Sequence, residues 1–301
     1  MKGFDFVNKV VLIGCGNVGM AYAYSLINQN LNIDELVLID VDENKLKGKV
    51  MDLNHCIANV FNSTSIRIGD YADCKDANIV CITAGPSQST VKTSRMEDLY
   101  KANEIFHSIV PAVASSGFSG IYLIASNPLD VMTYVTWKYA KCDQYKVIGS
   151  GTLLDTARLK YVLSERKGIP IDEITGYVLG EHGDSQFVNW SNVNVSNITD
   201  DEKVEIADEV KKLGFTVGKY QGFTCYGIAS SLTRITKSIL FDEKCVLPVS
   251  SYDEKSGIYI STPSKIGRNG IEETRIMNLS KDEYEAFENS IRTICTAIGS
   301  L

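Results

Sequence analysis

Three glycines near the start of the chain are spaced to bind the diphosphate of a dinucleotide. Gly14, Gly16 and Gly19 directly follow a short apolar run and open a stretch with helical spacing. Gly14 permits a tight turn, Gly16 lets the backbone approach the phosphates, and Gly19 lets helix and strand pack closely. Asp40 ends the next apolar run, where a carboxylate can bind ribose hydroxyls and repel a 2′-phosphate. The pattern therefore predicts a site for NAD rather than NADP.

Histidine is the side chain best suited to proton transfer near neutral pH, and the chain has three. His182 lies in the segment GEHGDS, just after an apolar run and between glycines, where a loop can present an imidazole to a cleft. His55 and His107 lie in helix-like segments without a neighbouring partner for proton transfer. His182 is therefore the candidate for acid–base chemistry, and the local sequence leaves open that it is a turn histidine without a catalytic role.

The first half of the chain alternates short apolar runs with longer amphipathic stretches. The apolar runs predict strands over residues 10–13, 36–39, 65–68, 79–83, 121–125 and 147–148. Helical spacing is found over residues 18–28, 43–58, 96–115 and 129–139. Short strands separated by helices predict right-handed βαβ units, and so an α/β fold with a doubly wound parallel sheet of the Rossmann type.

The order of elements changes after about residue 150. Helices are predicted over residues 153–166, 200–213, 228–240 and 282–298, and strands near 174–179, 187–195, 244–251 and 257–261. This order predicts a mixed α+β domain after the parallel sheet. We therefore expect an NAD-binding domain over residues 1–149 and a substrate-binding, catalytic domain over residues 150–301.

Bulk composition excludes several classes of partner. The net charge of −7 and the pI near 5.1 argue against a nucleic acid or an anionic membrane, but not against a small anion. No apolar run approaches the roughly 20 residues that span a bilayer, and the start MKGFDFVNKV lacks the apolar core of a signal peptide. The eight cysteines have no C-x-x-C pair and no metal-ligand spacing. These features predict a cytoplasmic protein with reduced thiols and no metal.

Six motifs together resemble those of the L-lactate/malate dehydrogenase family. They are GCGNVG, ITAG, SNPLD, GSGTLLDTAR, GEHGDSQF and the GFT of QGFTCYG, in the family's order from about Lys9 to the C-terminus. The resemblance implies that His182 is the proton donor and acceptor and that Asp155 is the carboxylate paired with it. Arg158 lies one turn after Asp155 and resembles the family's clamp for the substrate carboxylate, for which a guanidinium is well suited.

The segment between residues 85 and 94 resembles the family's mobile active-site loop. Arg95 follows it and resembles the arginine that polarises the substrate carbonyl, although it comes one residue later than in the bacterial lactate dehydrogenases. Asn127 resembles the asparagine that binds substrate beside the nicotinamide. The other residues that the resemblance implies for cofactor binding are Asn17, Val18, Lys45, Tyr71, Gly85, Ser108, Ser126 and Ser150.

The resemblance implies an NAD-dependent dehydrogenase of L-2-hydroxy acids. Gln88 stands where malate-type members have an arginine, and an amide cannot offset a buried second carboxylate, which costs several kcal/mol. Thr224 matches the residue that lines the methyl pocket of lactate-type members. Pyruvate and lactate are therefore expected first. GTLLDTAR, GEHGDSQFVNWS, TCYGIA and KIGRNG also resemble L-2-hydroxyisocaproate dehydrogenase, which leaves longer branched 2-oxo acids as the alternative.

Two further expectations concern assembly and regulation. Lys160 and Thr175 occupy the positions where fructose-bisphosphate-activated bacterial members have an arginine and a histidine, so weak or absent activation is expected. The first predicted strand begins near the start of the sequence, so a long N-terminal arm like that of the animal enzymes is not expected, and either a homodimer or a homotetramer is expected. A non-catalytic NAD-binding protein remains an alternative, but it would not need His182, Asp155 and Arg158 together.

Overall fold

The computed structural model describes residues 7–60, 63–86, 95–275 and 278–301 of the chain. The strands within these residues are β1 (Lys9–Ile13), β2 (Glu35–Ile39), β3 (Ser65–Ile68), β4 (Ile79–Ile82), β5 (Ile121–Ile124), β6 (Val147–Gly149), β7 (Val178–Leu179), β8 (Phe187–Val188), β9 (Cys245–Asp253), β10 (Ile258–Gly267) and β11 (Gly270–Thr274). The helices are α1 (Asn17–Asn28), α2 (Glu43–Val60), α3 (Arg95–Ser115), α4 (Leu129–Ala140), α5 (Leu153–Lys167), α6 (Asp200–Gln221), α7 (Tyr226–Leu240) and α8 (Lys281–Ile298).

The first six strands form a parallel sheet in the order β3-β2-β1-β4-β5-β6. Strands β1, β4 and β5 are buried on both faces, which explains why their sequences are near-continuous apolar runs. The strand order reverses between β1 and β4, and the carboxyl ends of the strands open a crevice there. The predicted doubly wound sheet is confirmed.

Three strands of the second half continue the same sheet. β9, β10 and β11 are antiparallel and join the edge of β6 where Gly149 pairs with Ser250. The result is one nine-stranded sheet together with a small two-stranded sheet of β7 and β8. The two halves of the chain therefore share a backbone framework, which holds the residues that follow β6 beside the ends of the parallel strands.

Helices cover both faces of the sheet. One apolar cluster packs α1, α2 and α7 against one face, and a second packs α3, α4 and α8 against the other. A third, smaller cluster joins α5 to α6. No helix within the described ranges is long and apolar enough to cross a membrane.

In the second half of the chain, several strands and one helix differ in length from those that the sequence predicts. The strands predicted near 174–179 and 187–195 are only two residues long each, because Gly176 and Gly180 take positive φ and a short 3₁₀ turn begins at Trp190. Helix α6 continues past residue 213 to its left-handed cap at Gly222, although glycines within it lower its helix propensity.

The prediction also missed strand β11 and stopped β10 too early. Pro263 lies inside β10, and proline normally argues against a strand interior. The turn Arg268–Asn269 joins β10 to β11, and the sequence Asn269-Gly270 is typical of tight hairpins, so a local signal for β11 was present.

Candidate active site

The glycine turn has the geometry that its sequence predicts. Gly14 has φ +93°, and a Cβ there would lie 2.4 Å from the backbone nitrogen of Ala84. A Cβ on Gly19 would lie 2.2 Å from the carbonyl oxygen of Gly14. Gly16, in contrast, faces open space, with nothing within 4 Å of an added Cβ. Gly14 and Gly19 let strand, turn and helix pack together, whereas Gly16 leaves room for a ligand to approach the backbone.

Helix α1 begins directly behind this open space. No side chain caps its N-terminus, so its first N–H groups are available to an anion, which the helix dipole also favours. Thr83 donates a hydrogen bond to the carbonyl oxygen of Gly14 (2.5 Å) and fixes the turn against the end of β4. The turn is therefore a preformed cradle for a diphosphate.

Asp40 lies at the end of β2, beside the same turn. Its carboxylate accepts the backbone N–H of Cys15 (2.6 Å) and that of Asp42 (3.0 Å). These bonds hold the carboxylate at the rim of the cradle, and a carboxylate has further lone pairs to accept ribose hydroxyls. The open cradle at Gly16, the uncapped helix and this acid together fit NAD.

A cavity of about 330 Å³ lies next to the cradle, at the carboxyl ends of the parallel strands. Residues of both halves of the chain line it, among them Val18, Asn127, Ser150, Arg158, His182 and Thr224. A larger cavity of about 470 Å³ lies at the opposite, amino-terminal edge of the strands, but no histidine lines it. The smaller cavity, which we call the central cavity, is the one that combines an imidazole with a guanidinium.

The core of the central cavity is a chain of three hydrogen-bonded side chains. Nδ1 of His182 lies 2.6 Å from Oδ2 of Asp155, and Nη1 of Arg158 donates to Oδ1 of the same carboxylate (2.8 Å). Asp155 is only 2% exposed. Because Asp155 and Arg158 are three residues apart on α5, one helix face presents both to the cavity.

Burial and neighbouring charges shift the pKa values of His182 and Asp155 in opposite directions. Burial alone would lower the pKa of His182, but the carboxylates of Asp155 and Asp130 together outweigh it and raise that pKa above its ordinary value. Burial would likewise raise the pKa of Asp155, but His182 and Arg158 lower it below its usual range. The pair therefore favours an imidazolium beside a carboxylate, and such an imidazolium can act as a proton donor.

The loop that carries His182 is held by a residue that the sequence did not single out. His182 follows β7 and Gly180, and its backbone N–H donates to Oδ2 of Asp130 (2.7 Å). Asp130 is buried at the start of α4, and its Oδ1 accepts the hydroxyl of Ser250 (2.6 Å). The only local signal was its place in the SNPLD motif, since its partners are distant in sequence.

Two other residues of the central cavity were also missed. A Cβ on Gly214 would lie 3.1 Å from Nη2 of Arg158, so the backbone of α6 lies against the guanidinium. Lys211, one turn earlier on α6, places a second basic residue at the lining of the cavity. Both residues lie in the part of α6 where the sequence predicted the helix to end.

The predicted cofactor and substrate residues are only partly brought together. Asn127, Ser150 and Thr224 line the central cavity. Ser126 is buried and donates its hydroxyl to the carbonyl oxygen of Ala84 (2.5 Å). Gly85 is exposed at the end of β4. Lys45, Tyr71 and Ser108 are among the predicted residues that do not line this cavity.

These three residues lie elsewhere on the first half of the chain. Lys45 is exposed and pairs with Asp42 (2.9 Å), close to Asp40. Tyr71 packs on the apolar cluster under α3, and Ser108 is exposed on α3. Their assignment to the cofactor stays a prediction.

Gln88 and residues 87–94 of the predicted loop lie outside the described residues. Arg95 begins α3, but its side chain is also outside what the structure describes. The other two histidines are exposed, and His107 makes an edge contact with Tyr139 (5.2 Å between ring centroids). No group of acidic, histidine or cysteine side chains in the described ranges is arranged to hold a metal ion.

Comparison with known proteins gives a consistent result over the whole chain. Residues 8–149 match the model of the lactate/malate dehydrogenase NAD-binding domain, and residues 152–300 match that of the family's α/β C-terminal domain. An L-lactate dehydrogenase of Halalkalibacterium halodurans is 42% identical over 297 residues, which cover 95% of each chain.

Solved structures agree with these matches. A lactate dehydrogenase from a Medee basin deep-sea metagenome library superposes with a TM-score of 0.93 at 38% identity, covering 98% of each chain. The ligand-bound minor L-lactate dehydrogenase of Enterococcus mundtii superposes equally well, with a TM-score of 0.93, 35% identity and 99% coverage of each chain.

Proposed function

This chain belongs to the lactate/malate dehydrogenase family, and from that premise we propose that it interconverts pyruvate and L-lactate with NAD. The observation that carries the proposal is the hydrogen-bonded group of His182, Asp155 and Arg158 in the lining of one cavity. This group combines a proton donor with a cation for a carboxylate, which are the two functions that reduction of a 2-oxo acid needs from side chains. A non-catalytic NAD-binding protein would need neither.

Arg158 is proposed to bind the carboxylate of the substrate. One of its N–H groups donates to Asp155, and the guanidinium has four further N–H donors for a bidentate pair. We propose that Asn127, which lines the same cavity, donates a further hydrogen bond to the substrate, and that Arg95 polarises its 2-oxo group.

His182 is proposed to be the acid–base catalyst. Asp155 occupies Nδ1, so Nε2 is the ring nitrogen left to donate a proton to the 2-oxo oxygen. When bound, the cofactor supplies the hydride that reduces C2 of the substrate. His182 thereby becomes neutral, and it regains its proton from solvent. In the reverse direction the neutral imidazole accepts the proton of the 2-hydroxyl group.

Pyruvate is the preferred substrate in this proposal. Thr224 contributes a small side chain to the lining of the cavity, which suits a methyl group. Gln88 supplies no charge for a second carboxylate. Longer branched 2-oxo acids are the second candidate, because Gly214 leaves the wall beside Arg158 without a side chain.

The substrate proposal is tested by following the oxidation of NADH with pyruvate, 2-oxoisocaproate and oxaloacetate in parallel. The expected order of kcat/KM is pyruvate, then 2-oxoisocaproate, then oxaloacetate. Oxaloacetate should be at least about 100-fold poorer than pyruvate, because neither Gln88 nor Thr224 offers a charge to its second carboxylate. Turnover of none of the three would refute the proposed reaction, and a preference for oxaloacetate would refute the role given to Gln88.

We also propose that the protein is a cytoplasmic homo-oligomer. Three large apolar side chains are more than half exposed on neighbouring helices: Tyr24 on α1, Met51 on α2 and Tyr226 on α7. Such side chains are typical of a surface that another subunit covers. The eight cysteines are free thiols, which favours a reducing compartment. Light scattering after size-exclusion chromatography tests the assembly, and a monomer at micromolar concentration would refute it.

A further inference from the structure

Asp130 is a buried acid that connects the histidine loop to two other parts of the fold. It lies in the first turn of α4 and is 2% exposed. Its two oxygens accept hydrogen bonds from the backbone of His182 and from the hydroxyl of Ser250 on β9. An acid that served only the N-terminus of its own helix would have no need of these two distant partners.

The charges around Asp130 couple it to the imidazole. Burial raises the pKa of Asp130 to about 6, and the hydrogen bonds from Ser250 and His182 act against burial by favouring the ionised form. The nearby Glu181 acts in the same direction as burial. His182 in turn faces Asp155, Asp130 and Arg158, and the two carboxylates favour its charged form whereas the guanidinium opposes it.

Building on the proposed function, we propose that Asp130 is a positioning residue, which holds the His182 loop and places a second negative charge beside the imidazole. The first role follows from the hydrogen bond to the His182 backbone (2.7 Å). The second follows from the burial of the carboxylate, because charges that water does not reach interact more strongly.

The hydrogen bond from the His182 backbone to Asp130 also links the histidine to the residues that precede α4. Asn127 lines the central cavity only three residues before Asp130. The segment from residue 127 to residue 130 therefore contributes one side chain to the cavity and anchors the loop that carries another. Asp130 thus fixes the position of the proposed acid–base group, His182, relative to the proposed substrate-binding residue Asn127.

Asp130→Asn removes the negative charge of this side chain but keeps its size and shape, so it tests the effect of the charge on His182. The amide oxygen can still accept the His182 N–H, and the amide nitrogen can donate to Ser250. Reduction of pyruvate requires the imidazolium, so kcat/KM falls as pH rises through the raised pKa of His182. Without the Asp130 charge that pKa is lower, so the midpoint of the fall should move to lower pH by about half a unit. The midpoint for oxidation of lactate should move in the same direction.

Glu283→Gln is the matched control. Glu283 is also buried, and it also accepts a backbone N–H and a hydroxyl, both from Ser191 (2.9 and 2.6 Å). Its exchange removes a buried loop-anchoring charge without touching His182. It should leave both midpoints within about 0.2 unit of the wild type.

Ser250→Ala provides a second variant if Asp130→Asn does not fold. It removes one hydrogen bond that stabilises the Asp130 carboxylate, so Asp130 is more often protonated near neutral pH. The midpoints should move to lower pH, by less than in Asp130→Asn.

The possible outcomes separate this proposal from the proposed function. An inactive wild type would contradict the proposed reaction itself. An active wild type whose variants lose rate with unmoved midpoints would overturn the charge role of Asp130, because damage to structure alone lowers rates without shifting the profile. An equal shift in Glu283→Gln would overturn it as well.

Discussion

At the scale of single residues, Arg158 joins the acid–base pair to the wall of the central cavity. It shares the Asp155 carboxylate with His182, its guanidinium lies against the backbone of α6 at Gly214, and it lines the central cavity. A planar guanidinium can donate to Asp155 and to a substrate carboxylate at once, whereas an ammonium group is a compact point charge. Both the planar shape and the charge of Arg158 should therefore be needed to bind the substrate carboxylate.

Arg158→Lys should raise the KM for pyruvate by about 100-fold, because the bidentate pair is lost, with a smaller effect on kcat. Steady-state kinetics at saturating NADH measure this. Arg166→Lys is the control on the same helix, since Arg166 pairs with Glu205 and Glu209 away from the central cavity and should change KM less than about twofold. A KM for Arg158→Lys within threefold of wild type would contradict the clamp.

At the scale of elements, the cofactor cradle depends on the end of β2 and the start of α1. Asp40 receives two backbone N–H groups at this junction, whereas its neighbour Asp42 forms an exposed pair with Lys45. Because their surroundings differ, Asp42 is a suitable control for substitution of Asp40.

Asp40→Asn should weaken binding of NADH about tenfold and raise relative activity with NADPH by at least about tenfold, because an amide does not repel a 2′-phosphate. Titration of NADH fluorescence and parallel assays with both cofactors measure these effects. Asp42→Asn should change neither value more than about twofold. Unchanged cofactor preference in Asp40→Asn would argue against the ribose contact.

The elements also show what the sequence could predict. The cradle was predictable because its glycines, the strand before it and the helix after it are contiguous in sequence. The bonds of Asp130 were not, since they join residues 52 and 120 positions apart, and the bond from Ser250 forms where β9 joins β6. The pairing of His182 with Asp155 came from family resemblance, because its two residues lie on separate elements.

At the scale of the whole molecule, the continuous sheet sets the site between the two halves of the chain. The parallel strands provide the cradle, and the residues after β6 provide His182, Asp155 and Arg158. This explains why the glycine turn and Asp40 alone indicate which cofactor is bound but not which substrate is reduced.

Regulation by a small molecule is the second expectation at this scale. Thr175, which the resemblance places at the effector position, is exposed and carries no charge, so it cannot pair with phosphate as an imidazolium would. Fructose bisphosphate should therefore change the half-saturating concentration of pyruvate by less than about twofold. Saturation curves with and without the sugar phosphate measure this, and a clear fall on adding it would refute the expectation.

The most direct test of the proposed chemistry is His182→Asn, assayed for both turnover and cofactor binding. Asparagine cannot deliver a proton near neutral pH, so kcat for pyruvate should fall by about 1,000-fold, while the affinity for NADH stays within about twofold because the cradle is intact. A variant that kept more than about a tenth of the wild-type turnover would contradict His182 as the proton donor.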